Sequence, residues 1–231
     1  MSIPLNTAKE GEQPTGVDLH PLLGLSPAST ILSQHLSRLS LSASLSTTLT
    51  PQIKAYSDSV YFNYHQLGLS LVFHPTTPAY KPKTGSSLEQ LDLPKLRLAQ
   101  IDIYNHQSSL KDPVTAPTKR TSPLNPTYSA FPSYPLLLRL PASSTSSTTH
   151  FPLEPTTIGS ALVTSLGEPD RKGGGEGSIG VWTEWTSEGV LVEWASGGLQ
   201  AWEKGAGAVW RCTSLFERGV QMGKMEGEED D

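Results

Sequence analysis

The chain has 231 residues, room for one domain of two modules or for two small domains around a buried core. Its net charge is −5, yet five of the last six residues are acidic, so the rest carries equal numbers of acidic and basic groups. Without a basic stripe to meet phosphates, a nucleic-acid partner is excluded. Cys212 is the one cysteine and forbids an intrachain disulfide. The absence of a basic-then-apolar leader, and of any apolar run of about 18 residues, predicts a cytoplasmic protein in a reducing compartment.

Residues 1–17 are polar, broken by Pro and Gly, and read as a disordered lead. A first module spans residues 18–106. Its helix is predicted to open at Ser26-Pro27, a capping hydroxyl followed by Pro at the first helical position. Ile31, Leu32, Leu36 and Leu39 then line one stripe. A hairpin follows over residues 61–73 with Gly68 in its turn. After an insertion over residues 81–92, a strand over 96–104 alternates with a change of phase near Gln100, as at a bulge.

Residues 107–133, rich in Pro, Ser and Thr without periodicity, read as a loop. Residues 134–141 read as an extra strand, and the Ser/Thr-rich stretch 142–154 as a linker. The second module, residues 155–218, opens with a helix through Ile158, Leu162, Val163 and Leu166 that stops at Gly167, with Pro169 just beyond. A hairpin over 182–194 turns at Gly189, and a strand covers 208–216. Cys212 lies in this apolar strand, where a buried inert thiol is expected. Residues 219–231 form an acidic, disordered tail.

The two modules read as copies. With Gly68 set on Gly189, bulky residues coincide at Tyr61/Trp182, Tyr64/Trp185, Leu69/Val190, Leu71/Val192 and Phe73/Trp194. The pairs Ile31/Leu39 and Ile158/Leu166 extend the match into the helices. The expected fold is therefore α+β, two tandem αβββ modules forming antiparallel sheet with both helices on one face. The other sheet face is the natural place for a partner.

Chemical motifs are sparse. Residues 175–180 satisfy G-x-G-x-x-G, but a helix precedes and a strand follows, the reverse of what dinucleotide binding needs. The six histidines lack metal-ligand spacing, although His65 and His74 flank one hairpin. No catalytic, cofactor-binding or metal-binding residue is assigned, and no cofactor is expected. Five Trp residues fall between positions 182 and 210, and alternation sends Trp182 and Trp185 to opposite faces. An exposed Trp is a binding anchor, so the partner-binding candidates are Trp185, its match Tyr64, and Trp202 in a Gly-rich segment.

The stretch from Tyr61 through Asn63, Tyr64, Leu67 and Gly68 to Phe73 resembles a phrase of the phagosome assembly factor family. Ile103-Tyr104-Asn105, Leu166-Gly167-Glu168-Pro169 and Ser214-Leu215-Phe216 continue the likeness over residues 56–216. This resemblance implies a non-enzymatic protein of autophagy or membrane trafficking, working through a β-propeller partner with peripheral contact to phosphoinositide-bearing membranes. The chain departs from the family in its shorter length and its Ser/Thr/Pro insertions. Its layout is also similar to tandem-repeat inhibitors that clamp enzymes with a concave sheet. The expected function is that of an intracellular adaptor that binds another protein. The alternatives are a small-molecule or lipid-binding module with a cavity between helix and sheet, or a hydrolase-like enzyme in which His65, His74 and a carboxylate converge.

Overall fold

A computed structural model describes residues 15–45, 49–105, 127–141, 149–174, 181–195 and 207–221. In chain order the elements are α1 (Thr30–Ser42), β1 (Gln52–Ala55), β2 (Val60–Tyr64), β3 (Leu69–Pro75), β4 (Leu96–Tyr104), β5 (Leu136–Arg139), β6 (His150–Leu153), α2 (Gly159–Leu166), β7 (Arg171–Gly173), β8 (Trp182–Trp185), β9 (Val190–Trp194) and β10 (Trp210–Phe216). Eight strands form one antiparallel sheet in the order β1-β2-β3-β4-β10-β9-β8-β7, and β5 pairs with β6 in a second sheet. The two long central strands, β4 and β10, bring the halves of the chain together.

Strand alternation decides what each face carries. Leu69, Leu71 and Phe73 of β3 join a core that includes Leu32, Leu36 and Leu39 of α1, Leu162 and Leu166 of α2, and Leu136, Leu138 and Leu153 of the small sheet. Between them Ser70 and Val72 are buried as well, but outside that cluster, because they point the opposite way. The α1 leucines recur at steps of four and three, one stripe of an α-helix.

Ile31 is 60% exposed and so lies off the α1 stripe on which its spacing had placed it. Ile158, its supposed match, is also exposed, at the amino-terminal cap of α2. The helix begins at Thr30 and not at Ser26. The Ser26 Oγ accepts from the Ala28 N–H at 3.2 Å and donates to the Leu93 carbonyl at 2.9 Å, which makes a turn before the helix. The α2 stop is as its sequence dictates, with Gly167 at φ +85°.

Strand β4 occupies its expected span, and the register shift between Val72 and Phe73 leaves Ala99 unpaired beside Gln100. Each hairpin has one more strand than its sequence pattern indicates, β1 against β2 and β7 against β8. Both are short edges, and Arg171–Gly173 has no apolar residue from which alternation is readable. Strand β6 lies in the stretch expected to be a linker and carries Pro152, a residue at home in a strand only where no ladder bond is required of it. Residues 127–131, expected as loop, pack on the sheet end: the Ser129 N–H donates to His65 O at 2.8 Å and the Phe131 N–H to Tyr104 O at 3.0 Å. Val17, at the end of the expected lead, bridges in parallel to Leu136.

Candidate functional site

On the sheet face away from the helices, register assembles polar residues that are far apart in the chain. Asn63 pairs with Ser70, Ser70 with Asp102, and Asp102 with Ser214, one row across β2, β3, β4 and β10. Residues directly opposite in an antiparallel pair share a face, so these four side chains stand side by side. Asn63, Ser70 and Ser214 are buried, and Asp102 is half-buried.

The row is hydrogen-bonded. The Ser70 hydroxyl donates to Asn63 Oδ1 at 2.9 Å, and the Tyr128 hydroxyl donates to the same oxygen at 2.6 Å. Asp102 Oδ1 accepts from the Gln100 amide at 2.6 Å and from the Ser214 hydroxyl at 2.7 Å. Two residues along β4 on the same face, Tyr104 stacks on Tyr128 with centroids 3.8 Å apart and planes at 9°, and His65 closes on Tyr128 at 4.4 Å. Cys212 sits opposite Tyr104, and Arg211 reaches Glu193 at 2.6 Å.

Burial raises the Asp102 carboxyl above its ordinary range, the hydrogen bonds from Gln100 and Ser214 oppose the rise, and the Glu193 charge adds to it. The Cys212 thiol is also pushed up by burial, with the Asp102 and Glu193 charges acting in the same direction. It is a protonated packing residue, as its apolar strand implied. Tyr104 rises for the same leading reason, loss of water around the phenol. The arrangement offers carboxylate, hydroxyl and amide groups beside flat aromatic rings.

Two of the residues selected from sequence as partner contacts lie elsewhere. Trp185 is 1% exposed and Tyr64 is 7% exposed, both in the core. The Trp185 Nε1–H donates to Gly167 O at 2.9 Å, tying β8 to the end of α2, and burial pushes the Tyr64 phenol up to about 12. Both belong to the core cluster on the helix side of the sheet. Trp202 and the 175–180 glycine motif lie outside the described residues. Trp182, on the face opposite Trp185, is half-buried under the Arg171 guanidinium, 5.7 Å from its ring.

His65 and His74 do not converge. They lie beyond and near opposite ends of β3, and His65 Nε2 is instead 3.0 Å from Gln52 Oε1. No group of three His, Cys, Asp or Glu able to hold a metal occurs among the described residues. Asp102 reads from sequence only as one strand carboxylate among Asp58, Glu184 and Glu193, and its grouping with Asn63, Ser70 and Ser214 is what sequence reading missed. Asn63, Ser70 and Asp102 alternate with apolar or aromatic neighbours like any solvent-facing strand residue, Ser214 follows Thr213, and only the pairing register makes the four one group.

The fold and site thus define an α+β protein with an eight-stranded antiparallel sheet, helices packed on its apolar face and a polar, aromatic-flanked network at the centre of the other. No described helix is long and apolar enough to cross a membrane. Comparison with protein-family models, curated proteins and solved structures finds no match.

Proposed function

We propose that the chain is a non-enzymatic adaptor, built from two copies of an αββββ module, that binds another protein through the sheet face opposite its helices. The polar row and tyrosine stack on β3, β4 and β10 carry this reading. Asn63 and Ser70 are buried in one hydrogen-bonded pair and Ser214 in another with Asp102, and this buried support fixes the half-buried Gln100, Asp102 and Tyr104 beside it, as a recognition surface requires of the groups it presents.

The duplication is supported by matched backbone detail. Gly68 and Gly189 both take positive φ, +56° and +69°, at the hairpin turns. The Tyr104 N–H donates to Gly68 O and the Phe216 N–H to Gly189 O, each at 2.9 Å. Register shifts interrupt both long strands at corresponding places. Asp102 and Ser214, equivalent when β4 is laid on β10, pair directly with each other, as positions on an approximate two-fold axis must. The likeness to the phagosome assembly factor family makes a β-propeller protein of the autophagy or trafficking machinery, at a phosphoinositide-bearing membrane, the first partner to try.

Photo-cross-linking from two positions tests the reading. A benzophenone amino acid replacing half-buried Tyr61, which shares the proposed surface through the pairing of Tyr61 with Val72 and Val72 with Gln100, is expected to trap a specific protein in the native cell. The same group at Ile31, on the exposed side of α1, is expected to trap none. A partner trapped from position 31 and never from position 61 would overturn the assignment of the surface.

A further inference from the structure

We infer that Asp102 is the docking point for a basic side chain, an arginine or lysine, presented by the partner protein. The inference rests on the binding role proposed above and names the chemistry of what is bound.

Both hydrogen bonds to Asp102 end on Oδ1, and Oδ2 takes none from any described residue. A carboxylate oxygen has room for two donors, and Oδ2 is not among the buried polar atoms that lack a partner, so it meets the surface where an incoming donor reaches it. Asp102 also forms no ion pair among the described residues. The neighbouring carboxylate, Glu193, already has Arg211 at 2.6 Å, and its residual effect on Asp102 is repulsive. The local charge is therefore complementary to a cation carried in from outside.

The flanking groups select the kind of cation. A bare metal ion would need a cluster of ligands, and none stands here among the described residues. Tyr104 is two residues along on the same face, its ring held by the stack on Tyr128. A carboxylate with a fixed aromatic ring next along the same sheet face is a setting in which a guanidinium donates hydrogen bonds to the one and packs against the other, and an ammonium does so with less contact. Gln100 and Ser214 hold Oδ1, so they fix the carboxylate plane and aim the free oxygen before anything binds.

The test uses the full chain, isotopically labelled, titrated with acetyl-Gly-Arg-Gly-amide and separately with its citrulline counterpart, which keeps the shape and removes the charge. The arginine peptide is expected to shift the amide signals of Asp102, Tyr104 and Ser214, and the citrulline peptide to leave them in place. Asp102→Asn is expected to weaken the arginine response about tenfold or more. Equal responses to the two peptides, or an arginine response confined to other acidic sites, would overturn the inference. The peptide pair needs no variant to fold, so it decides even if Asp102→Asn is unstable. A partner cross-linked from position 61 with no arginine response refutes the basic side chain and leaves the binding face standing. An arginine response with no cross-link from that position refutes the protein-binding reading instead.

Discussion

Strand β4 shows two kinds of construction within nine residues. Ile101 and Ile103 face the helices in the continuous core, where any apolar side chain of similar volume and shape serves. Asp102 and Tyr104, on the other face, are held by specific partners: Gln100, Ser214 and Tyr128. One face is specified by volume and the other by directed contacts. Changes on the first should therefore read out as stability, and changes on the second as pH dependence and recognition.

The two neighbouring tryptophans of β8 break this comparison most sharply. Trp185→Ala, which empties a fully buried core site, is expected to cost about 3–5 kcal/mol in urea unfolding. Trp182→Ala, on the half-buried face three residues earlier, is expected to cost roughly 1 kcal/mol. Similar losses at both would mean that the second face is as tightly packed as the first.

Next in size are the turn glycines. A Cβ at Gly68 would run into Ser129 O and the Phe131 amide, and one at Gly189 into Phe216 O, both from positive φ. Gly68→Ala and Gly189→Ala should each destabilise by about 2–3 kcal/mol, measured in the same way. A loss at one site alone would show that the two turns are not equivalent supports.

Asp102 gives a smaller effect of opposite sign. Its folded carboxyl titrates above the ordinary value, so the folded state holds that proton more firmly than the unfolded chain. The resulting stabilisation is present below the ordinary carboxylate range and is lost as pH rises through the raised value. Asp102→Asn removes this slope and is expected to stabilise at neutral pH by on the order of 1 kcal/mol. Thermal melts across acid to neutral pH check it, and a variant with the wild-type slope would contradict it. The smallest perturbation is at Cys212, whose buried thiol should resist iodoacetamide in the native protein and react on unfolding.

Most of the core face was legible because burial leaves a period in the sequence. Leu69, Leu71 and Phe73 alternate, Leu32, Leu36 and Leu39 recur at helical steps, and the matched glycines marked both turns. Ile31 failed because it adjoins Leu32, and adjacent residues on a helix lie about 100° apart, so the stripe has room for one of the two. Edge strands β1 and β7 escaped notice because they are short and their apolar content is slight. Trp185 and Tyr64 were selected on residue type, and their burial follows from strand alternation, which turns both toward the core. The polar row was illegible for a different reason. Asp102 and Ser214 are separated by more than a hundred residues, and nothing local to either reports that β4 pairs with β10.

The most direct test of the proposed binding face is the yield of cross-linked partner from position 61 in the wild-type background and in Asp102→Asn, with position 31 as reference. A specific protein trapped from position 61, several-fold less in Asp102→Asn and absent from position 31, is the predicted result. A partner trapped from position 31 alone would contradict it and place recognition on the helical side of the molecule.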